Sequence, residues 1–136
     1  MGVHSNIKEV VGSFSSEIGV EAPNFNDDGV CYITIDDCVI TLEASELDNK
    51  LYISAVVCEG DSVHNESVLK AALAGNMFWI ETRGATLMYD EATNRIFMCY
   101  NENPETLDLE SFKNILGNFV ECAKEWTEKL QEATKV

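Results

Sequence analysis

The chain has 136 residues, 46% hydrophobic and 24% charged, with 24 acidic against 9 basic side chains and a net charge of −15. That size and balance predict one folded domain, able to bury a core without disulfides or metal, and not a disordered tail. The acidic excess argues against nucleic acid or anionic membrane as a partner, since affinity for phosphate comes from clustered lysine and arginine; it favours solubility and fast encounter with basic partners.

The opening MGVHSNIKEV lacks the apolar stretch of a secretory signal, and Asn6 breaks the myristoylation pattern. No apolar run reaches the ~18 residues of a membrane span. The expectation is a cytosolic single domain spanning residues 1–136. Ser5 is placed to cap a first helix, in which Ile7, Val10, Val11, Phe14 and Ile18 recur at helical spacing until Gly19 and Pro23 end it. Asn24–Gly29 is a polar, turn-rich linker. Three strands follow, with Cys31, Ile33 and Ile35, then Cys38, Ile40 and Leu42, then Leu51, Ile53, Ala55 and Val57 on every second position. The pair Asp36-Asp37 reverses the chain between the first two, so the run reads as an antiparallel meander with one buried face.

Gly60 breaks that pattern, and Asp61 or Ser62 is the expected cap of a second helix reaching about Asn76. Two more strands are predicted, near Thr86–Tyr89 and Arg95–Tyr100. Beyond Asn103-Pro104, the residues Leu109, Phe112, Leu116, Phe119, Ala123, Trp126 and Leu130 define one long amphipathic helix, best packed on a sheet. The predicted fold is therefore α+β, α-β-β-β-α-β-β-α, a twisted antiparallel sheet packed by helices.

Catalytic and metal chemistry finds little footing. Asn24, Asn26, Asp28 and Gly29 imitate the first half of a calcium loop, but Ile35 stands where its bidentate glutamate belongs. The acidic pairs Asp27-Asp28 and Asp36-Asp37 lie in turns and diverge, whereas acid/base catalysis needs groups that converge on one atom. The five cysteines form no C-x-x-C pair, and His4 and His64 are isolated, so neither zinc nor a Cys–His nucleophile is expected. The thiols read as reduced and mostly buried. Gly84 has no phosphate-loop context. No catalytic residue, metal or cofactor is assigned.

What remains is apolar surplus. Val30, Tyr32, Val39, Tyr52 and Val56 lie on the meander face opposite the alternating core, where a solvated sheet would be more polar. In Leu69–Asp90, the small residues Ala71, Ala72, Ala74 and Gly75 allow close approach of another backbone, and Met77-Phe78-Trp79-Ile80 offers a large apolar area. Surfaces of this kind mark protein-binding sites, and a helix of small residues suits packing on its own symmetry copy.

The chain resembles the class I type III secretion chaperones, the CesT-like family of small acidic bacterial proteins. Matching pieces run in order along nearly all of it: the helix ending in Ile18-Gly19-Val20, the strand Asp28–Asp36, Val39 with Leu42-Glu43, Leu51–Ala55, Leu73 with Asn76-Met77, Gly84-Ala85-Thr86-Leu87 with Tyr89-Asp90, and Phe119-Val120-Glu121 with Ala123 and Trp126. Arg83 departs from the family's usual glycine before the Gly-Ala-Thr motif. The resemblance implies a homodimer in the bacterial cytoplasm, without ATPase activity, that holds the N-terminal segment of one or more secreted effectors in extended form. It implies too that the chaperone keeps the effector soluble and export-competent and helps bring it to the secretion ATPase. Carried onto this sequence, Ile7, Val11, Phe14, Tyr32 and Val39 are the expected effector contacts. Leu69, Ala72, Leu73, Asn76, Phe78 and Trp79 are the expected dimer interface. The competing reading is a non-catalytic regulator, an anti-activator or inhibitor, that sequesters a partner through the same surfaces.

Overall fold

The computed structural model describes residues 5–45 and 47–135; His4 lies outside them. The elements are α1 (Ser5–Glu17), β1 (Val30–Ile35), β2 (Cys38–Ser45), β3 (Lys50–Glu59), α2 (Glu66–Gly75), β4 (Thr86–Asp90), β5 (Arg95–Glu102) and α3 (Leu109–Ala133), with short 3-10 turns at Gly60–His64, Met77–Trp79 and Pro104–Thr106. The fold is α+β, with the five strands in one antiparallel sheet of order β1-β2-β3-β5-β4, so β1 and β4 are its edges. Two compact units can be distinguished. The first runs to Ile53 and takes in Asn101–Gly117; the second comprises Ser54–Tyr100 and the chain from Asn118 on.

In the first unit, β1 and β2 form a hairpin closed by the two residues Asp36 and Asp37 between the paired Ile35 and Cys38. Both aspartates have positive φ, 49° and 64°, the twist that a type I′ turn imposes and that aspartate tolerates better than most residues. The register puts Cys31 opposite Leu42 and Ile33 opposite Ile40 on the buried face. Tyr32 opposite Thr41 and Thr34 opposite Val39 take the other face. Gly29 immediately precedes β1 at φ +77°, and a Cβ there would sit 2.7 Å from the Ala44 carbonyl oxygen, so only glycine fits. Asn26, the central residue of the imitation calcium loop, uses its side-chain oxygen to accept from the backbone N–H of Asp28 (2.9 Å) and Val30 (3.0 Å). It is a turn-builder.

Helix α1 buries Ile7, Val10, Val11 and Phe14. The Asn6 amide nitrogen donates to the carbonyls of Pro104 and Leu107, both at 2.7 Å, which ties α1 to the segment leading into α3. Phe14 meets Phe112 edge-on with centroids 5.4 Å apart, and Lys113 Nζ reaches Glu17 at 2.7 Å. Asp108 sits just before α3: its carboxylate accepts from the Ser111 N–H (2.8 Å) and hydroxyl (2.6 Å). Those bonds hold the carboxyl below its usual range.

In the second unit, α2 begins later than Asp61 or Ser62 would have it. Gly60–His64 makes one 3-10 turn, and Asn65 is the cap, its side-chain oxygen accepting from Val68 N at 3.2 Å. The long α3 stripe is buried at Phe119, Ala123, Trp126 and Leu130 as its spacing predicts. Gly75 receives the ring of Trp126: a Cβ there would lie 2.1 Å from Trp126 Cη2. Burial raises the thiols of Cys58 and Cys122 here, and pushes Cys31 of the first unit to about 11, which disfavours the reactive thiolate form.

Candidate functional site

Among the described residues, Ile18, Val20 and Leu47 are exposed in turns and connections, and elsewhere large apolar side chains reach solvent in two places of contrasting build. The first is the outer face of the β1–β2 hairpin. Alternation sends Tyr32 and Val39 outward, 61% and 58% exposed, among Thr34, Thr41 and Glu43. Both lie one residue from core positions on the same strands, so the hairpin that buries Ile33 and Ile40 necessarily presents them. Because β1 is a sheet edge, the backbone on that side has groups open to an added strand.

The second surface is the end of α2, the turn after it, and β4. Leu73 (73% exposed) and Phe78 (77%) stand out with Met77, Trp79, Ile80, Met88 and Tyr89. Phe78 and Trp79 both have positive φ, 54° and 57°, unusual for bulky residues. Asn76 fixes the turn at its base: its amide donates to the Leu87 carbonyl (3.0 Å) and its oxygen accepts from Leu87 N (2.7 Å). Trp79 Nε1 donates to Thr86 Oγ1 at 3.2 Å, and Trp126 Nε1 to the Glu81 carbonyl at 3.2 Å. Beside the turn, Leu69, Ala72, Leu73, Leu87, Met88 and Ile96 help to line an apolar cavity of about 400 Å³. Residues 71–80 and 84–89 carry no charged side chain, in a chain of net charge −15.

The expected site residues thus divide. Tyr32 and Val39 come together on the hairpin face. Ile7, Val11 and Phe14 do not join them at the surface: at 1%, 1% and 6% exposure they belong to the interior of the first unit, and in this conformation they offer a partner no area. Leu73, Phe78 and Trp79 are exposed together, and Leu69 is half-buried at the cavity. Ala72 is buried, and Asn76 is committed to Leu87. The small size of Gly75 serves Trp126 of the same chain. Met88 and Tyr89 were not anticipated, although an apolar residue at every position of Leu87-Met88-Tyr89 is the signal of a strand with no polar face.

His64 Nε2 lies 3.3 Å from the Asn94 amide, which also accepts from the Tyr89 hydroxyl at 2.7 Å, a surface network with no nucleophile in it. Among the described residues no group of three or more His, Cys, Asp or Glu is placed to hold a metal, and no helix is long and apolar enough to cross a membrane.

The fold has known counterparts. The profile of the Tir chaperone protein (CesT) family matches residues 9–127, and the chain belongs to that family. The ExsC–ExsE complex contains a chain of the same fold, with a TM-score of 0.81 and 21% identity over 96% of this chain and 97% of that one. The HopA1–SchA chaperone–effector complex contains another, at 0.76 and 21% over 90% and 94%. A third occurs in the ExoT–SpcS complex from Pseudomonas aeruginosa, at 0.64 and 16% over 90% and 98%. A search of curated protein sequences finds no match.

Proposed function

We propose that this protein is a cytoplasmic chaperone of type III secretion that binds the N-terminal segment of one or more secreted effectors, holds it extended, and keeps the effector soluble and competent for export. The observation that carries the reading is the family match over residues 9–127. The two apolar surfaces supply its physics. An extended segment laid along β1 gains main-chain hydrogen bonds from the open edge, while Tyr32 and Val39 receive alternate side chains. The surrounding carboxylates steer a basic segment in and keep the complex soluble. Ile7, Val11 and Phe14 act from below, by fixing the first unit, and touch the effector only if α1 moves.

The working form is a homodimer of single domains. Leu73, Phe78 and Trp79, with Met88 and Tyr89, form the contact between copies, because two chains of charge −15 meet at least cost where neither carries charge. Leu69 and Ala72 line the cavity beneath, and Asn76 holds the turn. The dimer is not an enzyme. It delivers its client to the secretion ATPase. The sequestering regulator has no feature of its own in its favour.

Co-expression with the N-terminal segments of secreted proteins encoded nearby tests the reading. A client should co-purify and become soluble. If none does and solubility is unchanged, the chaperone reading fails.

A further inference from the structure

We propose that Arg83 is a positioning residue: by locking onto Glu125 and Glu121 of α3, it holds the exposed Met77–Ile80 turn in its strained shape and makes the surface built on that turn sensitive to salt. The proposal rests on the self-association reading above.

The turn is held against its own preferences. Phe78, Trp79 and Arg83 all lie in the left-handed region, Arg83 at φ 54°, where glycine is the easy residue and a bulky side chain is strained. Such a conformation persists only when its surroundings over-determine it. On the strand side the tethers are Asn76 to Leu87 and Trp79 to Thr86, all uncharged. On the α3 side Trp126 Nε1 and, more weakly, Cys122 Sγ at 3.7 Å approach the Glu81 carbonyl. Two residues on, Arg83 Nη2 meets both carboxylate oxygens of Glu125, at 3.2 and 3.3 Å, with Glu121 at 3.6 Å. Glu121 and Glu125 lie one turn apart on α3, so a single guanidinium spans both.

Lys129 Nζ, 4.6 Å from the Trp126 ring centroid, is a second charged contact, but it acts on Trp126 and is unchanged in R83M. Arg83 makes the ion pair within this set, which dissolved ions weaken. Its side chains are partly exposed, 39% for Arg83 and 44% for Glu125, so its contribution is modest and screening reaches it. An apolar interface ordinarily tightens or holds as salt rises. Here the turn that carries it loosens.

The chain has two tryptophans, Trp79 on the turn and Trp126 beneath it, so its ¹⁵N spectrum has two indole resonances. R83M and R83K are compared with the unaltered chain between about 0.05 M and about 0.5 M salt. The unaltered chain should show the Trp79 indole moving with salt and self-association weakening. R83M should start from the high-salt position, lose the salt response and associate about fivefold more weakly, and R83K should regain the response. An unmoved indole in R83M overturns the clamp, whatever the oligomeric state. A moved indole with unchanged association, together with an intact dimer in Leu73→Asp, overturns the self-association reading and leaves the clamp standing.

Discussion

The hairpin face and the α2–β4 surface both expose apolar side chains, but they differ in build. On the hairpin, Tyr32 and Val39 are spaced by the pleat and separated by threonines, beside an open strand edge. That pattern fits an extended segment, which brings one side chain to every second position. At the end of α2 the apolar residues are contiguous, free of charge and fixed by a strained, cross-braced turn. That fits a partner whose shape is already set, such as a second copy. Strand position does not separate the two, since β1 and β4 are both edges; the number and continuity of exposed apolar residues, backbone strain and charge do.

The largest expected effect is on the α2 side. If the proposed dimer forms through this surface, Leu73→Asp places an unpaired charge in its contact and should weaken it about a hundredfold or more, read as a fall to the single-chain mass by light scattering. An unaffected dimer would move the interface elsewhere and break the contrast. Phe14→Ala should cost about 3–5 kcal/mol through the lost Phe112 contact and the cavity left behind. Urea unfolding measures this. Effector capture should then fall only in step with the unfolded fraction. If a fully folded Phe14→Ala protein captures nothing, α1 belongs to the effector surface after all. Gly75→Ala drives a methyl into Trp126 and should cost about 1–3 kcal/mol in thermal melting; a neutral result would mean that α2 is free to shift and its small residues serve a partner instead.

The smallest effect lies in the first unit's frame. Asp108 is held below the usual carboxylate range by Ser111, so its cap stabilises α3 fully above the unfolded value of about 3.8 and is lost as pH falls through the lowered folded value. The melting difference between the unaltered chain and Asp108→Asn should therefore be present at about pH 5 and shrink towards about pH 3. A difference that grows on acidification would reverse the assigned sign.

Much of the fold was legible because it repeats. Period two gave β1 to β3 and their buried face, and period three to four gave α1 and α3, down to the stripe through Trp126. Asp36-Asp37 declared its turn. What stayed hidden depends on partners far along the chain. Gly75 read as space for a neighbouring molecule because nothing local links it to Trp126. Ile7, Val11 and Phe14 were expected at the effector surface through the resemblance, and spacing identifies an inward face without saying how completely it is covered; all three are buried. The cap at Asn65 was missed because a 3-10 turn, with no periodicity of its own, intervenes. Of the exposed residues, Tyr32 and Val39 were legible as apolar positions off the core pattern, Phe78 and Trp79 as part of an apolar run, and Leu73 through the resemblance alone; Met88 and Tyr89 carried a signal in the unbroken apolar run Leu87-Met88-Tyr89 that was not used.

The central claim is that the two surfaces do separate work. Light scattering of the double variant Tyr32→Asp, Val39→Asp with and without an effector's N-terminal segment tests it most directly. These exposed positions should leave stability within about 0.5 kcal/mol. The variant should keep twice the 15.1 kDa chain mass and take up no segment. A variant that still binds the segment, or that loses the dimer along with it, would contradict the account.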